Sequence, residues 1–256
     1  MVPDAPLSAA PRFGLGLIGI GKPWGYANPE VPTERSAFAL LERAWELGVR
    51  YFDTAPSYGV SEERLGRFLA GLSAPERAAA EIATKFGEHW DAARGEPFVD
   101  HSRDALVRSL DASARRLGRI DALQLHKTTP AVLRGEALAR AWEYARSLGI
   151  PRLGASVSDP ESAEMAVALP GFGIVQAPYN IEQRAFEDVL RRAAARGMLV
   201  AVNRPFGMGR LLYERPETTK ADALRFVVQS GFAGVVLSGT KSVAHLEENW
   251  CCFTGI

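Results

Sequence analysis

The chain has few cysteines and no excess of positive or negative charge, and each of these features makes certain classes of protein improbable. Only two of the 256 residues are cysteine, and they are the neighbours Cys251 and Cys252. Adjacent cysteines cannot join distant parts of a fold, so nothing indicates a disulfide scaffold or an oxidising compartment. The 30 basic and 30 acidic residues cancel, and neither a basic stripe nor an acidic tail is present. Nucleic acid and membrane surfaces are therefore not expected as partners.

Long apolar runs are also missing from the sequence. No stretch approaches the ~20 apolar residues that span a bilayer. Residues 1–11 lack the basic-then-apolar order of a signal peptide, and we interpret them as a flexible lead in a cytoplasmic protein. His89, His101 and His245 do not stand at metal-ligand spacing, so no metal is expected.

The sequence instead alternates β-rich apolar runs with longer amphipathic runs from one end to the other. The pattern predicts strands over 13–21, 51–54, 81–86, 120–126, 151–157, 173–180, 198–205 and 234–239. It predicts helices over 34–47, 61–72, 102–117, 136–148, 159–169, 184–196, 218–230 and 243–252. Eight strand–helix units without a linker indicate an α/β protein, a (β/α)₈ TIM barrel, with residues 1–256 as one domain. An open doubly wound sheet is the alternative.

A glycine motif near the start offers a different interpretation. Gly14, Gly16 and Gly19 have the spacing of the dinucleotide-binding fingerprint, which requires a helix opening at the third glycine. Here a loop with Pro23 and Trp24 follows instead. We therefore interpret these glycines as strand positions of close backbone approach rather than as a Rossmann site.

Four chemically active side chains follow three successive predicted strands. Asp53 ends the second strand and Tyr58 lies on its loop, Lys85 ends the third strand, and His126 ends the fourth. A barrel gathers the carboxyl ends of its strands at one face, where its active site lies. A buried lysine requires a partner, and Asp53 on the neighbouring strand supplies one. The resulting ammonium is expected to lower the pKa of Tyr58.

These motifs resemble the aldo-keto reductase family. The resemblance rests on Tyr51–Gly59 with Ser61, Glu62, Leu65 and Gly66 after it, on Thr84–Gly87, and on Gln124–His126, and it extends over nearly the whole chain. It implies a barrel that binds NADPH, or less often NADH, and reduces a carbonyl compound or oxidises the corresponding alcohol. It also implies a catalytic tetrad of Asp53, Tyr58, Lys85 and His126, with Tyr58 as the general acid and base. Family habit implies a monomer or a weak homodimer.

The same resemblance implies a set of cofactor-binding positions. These are Gly16, Ser156, Gln176, Asn203, Arg204, Pro205, Phe206, Gly207, Gly239, Lys241, Ser242, His245, Glu248 and Asn249. Ser156 and Gln176 match carboxamide-binding positions, whereas Val157 replaces the usual asparagine and Asn203 replaces the aromatic residue that stacks on the nicotinamide. Lys241 and Ser242 would hold a 2′-phosphate.

The segment 212–219 and the tail after the last helix are shorter than in most relatives, which predicts an open, shallow substrate pocket. Its expected lining is Trp24, Tyr26, Phe86 and Trp90. Two functional alternatives stay open at this point. One is a nucleotide-binding or interaction module with weak turnover, and the other is a lyase or isomerase that uses Lys85 as a Schiff-base amine.

Overall fold

Eight parallel strands close into a barrel in this computed structural model, which describes residues 10–25 and 30–256. The barrel follows chain order, so each strand pairs with the strands before and after it, and the last pairs with the first. A two-stranded antiparallel hairpin, β4–β5, stands outside it. The strands are Arg12–Gly16 (β1), Tyr51–Asp53 (β2), Glu81–Phe86 (β3), Glu88–Asp91 (β4), Glu96–Val99 (β5), Ala122–Leu125 (β6), Arg152–Ser156 (β7), Ile174–Pro178 (β8), Leu199–Asn203 (β9) and Val235–Gly239 (β10).

Amphipathic helices surround the barrel and bury their apolar faces against the outer side of the strands. Side-chain caps start several of them: Thr33, Ser102, Asp159 and Ser242 each accept a backbone N–H from the first turn. The helices are Glu34–Glu46 (α1), Ser61–Ala70 (α2), Ala74–Ala79 (α3), Arg103–Leu117 (α4), Pro130–Leu133 (α5), Glu136–Ser147 (α6), Pro160–Ala168 (α7), Glu187–Ala195 (α8), Arg210–Glu214 (α9), Lys220–Val228 (α10) and Val243–Thr254 (α11). Within the described ranges, no helix is long and apolar enough to cross a bilayer.

The closed barrel confirms the predicted fold, and the open doubly wound sheet was the wrong alternative. Two local predictions also differ from the structure. The first strand ends at Gly16 and passes into a short 3₁₀ turn, Ile18–Ile20, instead of continuing to residue 21. Residues 87–100, for which neither a strand nor a helix is predicted, contain the β4–β5 hairpin, whose strands of four residues each are too short for a periodicity signal.

The barrel interior is layered because side chains two positions apart on a strand face the same side. The lower layer is apolar, with Tyr51, Ala83, Ala122 and Ile174 in one buried cluster, completed by Leu199, Ala201, Val235 and Leu237. Two positions further along the first four of these strands, the inward residues are Asp53, Lys85, Gln124 and Gln176. All four are buried. The strand ends thus hold a polar layer on an apolar floor.

A close contact between two glycines fixes the loop that carries Tyr58. A Cβ on Gly21 would lie 1.8 Å from the Tyr58 carbonyl oxygen, and a Cβ on Gly59 would lie 2.3 Å from the Gly21 carbonyl oxygen. Gly59 also has a φ of 60°, which favours glycine. The N–H of Val60 donates to the Gly21 carbonyl oxygen at 3.1 Å. The β1 loop and the Tyr58 loop are therefore locked together.

Candidate active site

Asp53 and Lys85 form a buried ion pair in the polar layer. Lys85 Nζ lies 2.6 Å from Asp53 Oδ1 and donates a second hydrogen bond to the Thr54 carbonyl oxygen at 2.9 Å. The Lys85 side chain is 0% exposed and that of Asp53 is 6% exposed. The pairing is possible because β2 and β3 are neighbours, with Asp53 opposite Ala83 and therefore beside Lys85. The predicted partnership of these two residues is present.

The lysine is a permanent ammonium group in this setting. Burial by itself lowers the pKa of Lys85, but Asp53 and Tyr58 outweigh burial and leave the pKa above its ordinary value. A Schiff-base lysine has to be deprotonated to attack a carbonyl. The raised pKa of Lys85 therefore opposes the lyase or isomerase hypothesis.

Two amides hold the second oxygen of the Asp53 carboxylate. Gln176 Nε2 donates to Asp53 Oδ2 at 2.9 Å, and Gln124 Nε2 donates to the same oxygen at 3.3 Å. Ser156 Oγ in turn donates to Gln176 Oε1 at 2.9 Å. A continuous hydrogen-bonded chain thus runs from Ser156 to Lys85 and fixes the orientation of the carboxylate.

Tyr58 lies over this ion pair and next to His126. Lys85 Nζ is 4.8 Å from the centroid of the Tyr58 ring, and the Tyr58 and His126 rings are 6.1 Å apart in an edge-to-face arrangement. Burial raises the pKa of Tyr58 above its ordinary value, and the opposing charge of Lys85 offsets only part of this effect. The expectation of a net lowered pKa was wrong for the protein without a ligand, because burial outweighs the ammonium charge. Tyr58 is therefore a phenol at neutral pH, ready to give a proton.

His126 stands between the barrel and an acidic residue of the hairpin. Its Nδ1 lies 3.0 Å from Glu88 Oε2, in an approach too oblique for a well-formed hydrogen bond. Burial lowers the pKa of His126 below its ordinary value, although Glu88 opposes the shift. Lys127 Nζ lies 3.3 Å from the other oxygen, Glu88 Oε1. His126 is consequently a neutral imidazole near pH 7 with an anion beside one nitrogen.

Glu88 is expected to stabilise the fold in a pH-dependent way. Burial would raise the pKa of Glu88, but His126 and Lys127 outweigh burial and lower the pKa from 4.5 to about 2. A carboxylate with a depressed folded-state pKa contributes stability above its unfolded pKa and loses it as the pH falls through the folded value. We therefore expect Glu88→Gln to reduce the free energy of unfolding by about 2–3 kcal/mol in mildly acidic solution where His126 is protonated, by less at neutral pH where His126 is neutral, and by progressively less between pH 4.5 and about 2. Urea denaturation across this range measures the difference.

The matched control for this prediction is Glu136→Gln. Glu136 pairs with Arg140 on the surface of α6, with its side chain 76% exposed, and exposed pairs contribute about 0–1 kcal/mol. A Glu88→Gln effect that stays constant with pH would contradict the charge-based explanation.

A cleft of about 510 Å³ opens above the polar layer at the carboxyl ends of the strands. Asp53, Tyr58 and His126 line it, while Lys85 lies beneath them. Most of the predicted cofactor-binding residues line the same cleft: Gly16, Ser156, Gln176, Asn203, Arg204, Pro205, Phe206, Gly239, His245 and Asn249. The structure thus gathers on one surface residues from both ends of the described chain, from Gly16 to Asn249.

Four predicted cofactor positions have other contacts. Gly207 turns the backbone beside the cleft with a φ of 57°. Lys241 donates to the Glu30 carbonyl oxygen, and Ser242 caps α11. Glu248 pairs with Lys220, and Lys220 rather than Glu248 lines the cleft.

The predicted substrate-pocket residues fall into three groups. Trp24 lines the cleft, whereas Trp90 lines a neighbouring pocket, and the Lys22 ammonium lies 6.0 Å and 5.8 Å from the two ring centroids. Phe86 is fully buried and packs against Trp142 with ring centroids 4.7 Å apart, so its assignment to the pocket was wrong. Its side chain points outward because it follows inward-facing Lys85 on the same strand. Tyr26 lies outside the described residues.

Backbone strain is concentrated at the cleft. In residues 10–25 and 30–256, the non-glycine residues with positive φ are Lys127, Arg204 and Met208, at 54°, 56° and 63°. All three line the cleft. A left-handed conformation is unfavourable for residues with a Cβ and persists where function requires it. The strain supports the cleft as the functional site.

Sequence reasoning missed three residues of the site: Lys22, Glu88 and Gln124. The sequence does contain a pattern that indicates Gln124. In each of β2, β3, β6 and β8, an apolar residue is followed two positions later by a polar one, and Gln124 is the polar residue of β6. Glu88 and Lys22 lie on segments without periodicity, where no sequence signal places a side chain.

The cleft has features that fit a nicotinamide dinucleotide. Asn203 Oδ1 and Asn249 Oδ1 are buried at its surface and have no hydrogen-bond partner within the described part of the chain. Buried amide oxygens are normally satisfied, so a ligand donor is expected at both. Gly16 and Gly239 lie opposite each other on β1 and β10. A Cβ added to Gly16 would have its nearest protein atom at 3.8 Å, and a Cβ added to Gly239 would have its nearest at 3.6 Å. Packing does not demand glycine there, and the absent side chains leave room for a ligand.

Comparisons with known proteins agree with this geometry. The model of the Aldo/keto reductase family matches residues 12–223. D-threo-aldose 1-dehydrogenase from a Pseudomonas species is 31% identical over 237 residues, which cover 82% of this chain and 70% of that protein. An aldo-keto reductase of Schizosaccharomyces pombe, yakc [NADP(+)], is 26% identical over 81% of this chain and 62% of that protein. An aldo-keto reductase structure from Pseudomonas aeruginosa has a TM-score of 0.80 at 25% identity, covering 98% of this chain and 93% of that one.

The family model matches most of the chain, and the chain therefore belongs to the aldo/keto reductase family. It is an NAD(P)H-dependent carbonyl oxidoreductase on a (β/α)₈ barrel. The resemblance inferred from the motifs around Asp53, Lys85 and His126 is confirmed.

Proposed function

We propose that this chain reduces aldehydes or ketones with NADPH and that Tyr58 is its proton donor. The observation that carries the proposal is the position of Tyr58 in the cleft, above the Lys85 ammonium and beside the His126 imidazole. A phenol in contact with a buried ammonium can release its proton to a developing alkoxide, because the ammonium stabilises the tyrosinate that remains.

Each residue of the cluster has a separate role in the proposed reaction. A bound reduced nicotinamide supplies the hydride to the carbonyl carbon. Tyr58 gives its proton to the carbonyl oxygen as negative charge develops there, and a proton from solvent later restores the phenol. Lys85, oriented by Asp53, stabilises the charge on Tyr58. His126 orients the carbonyl oxygen, and Gln124 and Gln176 keep Asp53 in position.

Residues from several strand ends are proposed to hold the cofactor. Ser156 and Gln176 would bind the carboxamide, and the backbone of 203–207 with Arg204 would contact the pyrophosphate. Lys241, Ser242 and His245 at the start of α11 would contact a 2′-phosphate, where the helix N-terminus favours an anion. These residues support NADPH over NADH, and the Schizosaccharomyces pombe relative carries NADP(+) in its name.

One chain supplies every group in the proposed mechanism, which supports activity as a monomer or a weak homodimer. The residues of the polar layer and the cleft come from residues 10–25 and 30–256 of a single copy. Sedimentation at several concentrations tests this proposal, and activity confined to a higher oligomer would contradict it.

The test of the proposed function is an assay of reduced-nicotinamide absorbance with aromatic and aliphatic aldehydes. We expect aldehyde-dependent loss of NADPH absorbance, with kcat/KM for NADPH well above that for NADH. Stoichiometric alcohol formation, read by chromatography, excludes a side reaction of the cofactor. Tight NADPH binding without turnover on any carbonyl compound would overturn the proposal.

That contrary outcome would favour the alternative, a nucleotide-binding module on the same barrel. The observation in its favour is Val157, which lines the cleft with an apolar side chain at the position of the usual carboxamide-binding asparagine. Loss of one hydrogen bond costs about 0.5–1.5 kcal/mol. This weakens cofactor orientation but leaves the polar layer intact, so we favour the enzyme.

A further inference from the structure

Lys22 is a half-buried cation at the substrate end of the cleft. Its ammonium lies 6.0 Å from the Trp24 ring centroid, 5.7 Å from that of Tyr58 and 5.8 Å from that of Trp90. It forms no ion pair or hydrogen bond with any residue in 10–25 or 30–256. Aromatic faces therefore surround a charge that is not paired with a carboxylate of the described residues.

The other charges near the reacting centre are already matched. Lys85 pairs with Asp53 at 2.6 Å, and Lys127 pairs with Glu88 at 3.3 Å. His126 is neutral near pH 7 because burial lowers its pKa. Apart from Arg204, which is assigned to the cofactor, the described residues at this end of the cleft carry three ammonium groups and two carboxylates, and the ammonium without a paired carboxylate is that of Lys22.

Burial of Lys22 has an electrostatic cost that its surroundings do not remove. Burial lowers the pKa of Lys22, and the attraction of Glu88 offsets this only in part. Cation–π contacts with the three rings reduce this cost, but an aromatic ring neither neutralises the ammonium nor accepts charge-assisted hydrogen bonds as a carboxylate does. An anion bound in the cleft would therefore accept from Lys22 a charge-assisted hydrogen bond that no carboxylate of the described residues accepts.

We propose that the substrate of this reductase carries a carboxylate within a few bonds of its carbonyl group and that Lys22 binds this carboxylate. The inference rests on the proposed function and names the substrate class of the same site. Lys22 and Tyr58 are neighbours, so one small molecule reaches both. A single uncompensated ammonium matches a monoanion, whereas a phosphate dianion would retain an unmatched charge beside Glu88. Trp24, which lines the cleft beside Lys22, provides a flat wall for the carbon skeleton between the two polar ends.

The test compares the ortho, meta and para carboxybenzaldehydes with the corresponding neutral carboxamides, using NADPH. We expect the wild-type kcat/KM to be higher for at least one carboxylate than for its amide. Lys22→Met should lower that carboxylate-to-amide ratio about 10- to 100-fold, mostly through KM, because one charge-assisted hydrogen bond is lost. Lys22→Arg should restore part of the ratio, because it keeps the charge.

Arg94→Met is the matched loss of a positive charge on the β4–β5 hairpin, with its side chain 74% exposed and outside the cleft. An equal fall in the ratio for Arg94→Met and Lys22→Met would show a general field effect and overturn the proposal. So would an unchanged ratio in Lys22→Met.

Binding gives a readout that does not depend on turnover. Benzoate binding to the NADPH complex, followed by the tryptophan fluorescence of the protein, should weaken about 10-fold or more in Lys22→Met. Turnover of the neutral amides without any preference for carboxylates would refute the role of Lys22 while leaving the reductase function intact. Benzoate binding that depends on Lys22 in a protein without turnover would refute the reductase and retain the anion site.

Discussion

Tyr58→Phe is expected to lower kcat for carbonyl reduction by about 10²–10⁴-fold, the usual contribution of a general acid. The substitution removes the phenol proton and keeps the ring that packs against Lys85 and His126. Among the described residues around Tyr58, His126 is neutral, Lys85 is tied to Asp53, and Lys22 is assigned to the substrate carboxylate, so none of them replaces the lost phenol proton. Stopped-flow measurement of a single turnover separates the loss of chemistry from changes in product release.

Cofactor binding provides the internal check on Tyr58→Phe. Quenching of protein fluorescence by NADPH should give a Kd close to that of the wild type, because the hydroxyl is assigned to the substrate oxygen. Tyr144→Phe is the matched control, since it deletes a hydroxyl that donates to Asp111 between outer helices at 2.7 Å. Its kcat should match the wild type. Retained turnover in Tyr58→Phe would remove Tyr58 from the mechanism.

Lys85→Met is expected to lower the free energy of unfolding by about 3–5 kcal/mol as well as to abolish activity. The methionine fits the volume of the lysine stem but leaves the Asp53 carboxylate without its cation in the barrel interior. Gln124 and Gln176 continue to donate to Asp53 Oδ2, but they carry no charge. Denaturation in urea measures the stability change.

A double variant distinguishes the lost pair from the lost lysine. Asp53→Asn together with Lys85→Met removes both charges, so it should recover a substantial part of the stability without recovering activity. Arg140→Met breaks the exposed pair with Glu136 and should cost less than about 1 kcal/mol. If the double variant proved less stable than Lys85→Met alone, the uncompensated carboxylate would not explain the loss.

The sequence supports the fold more fully than it supports the site. Amphipathic spacing in 34–47 and 102–117 predicts α1 and α4 within two residues at each end, because burial of one helix face imposes the period. The β4–β5 hairpin was missed, because its strands are short and Glu96–Val99 is exposed throughout. Phe86 was misplaced because the inward or outward direction of a side chain depends on strand register, which composition alone does not fix.

The sequence by itself determined that the chain contains eight strand–helix units and that Asp53, Tyr58, Lys85 and His126 lie at or just after the ends of consecutive strands. These features are local, since each depends on residues a few positions apart. Only the tertiary structure decided that the strands close into a barrel, that Gln124 and Gln176 fix Asp53, that burial raises the pKa of Tyr58, and that Lys22 lies beside Tyr58 without a paired carboxylate among the described residues. Such properties depend on through-space distances and on exclusion of water, which arise only when distant strands and loops meet.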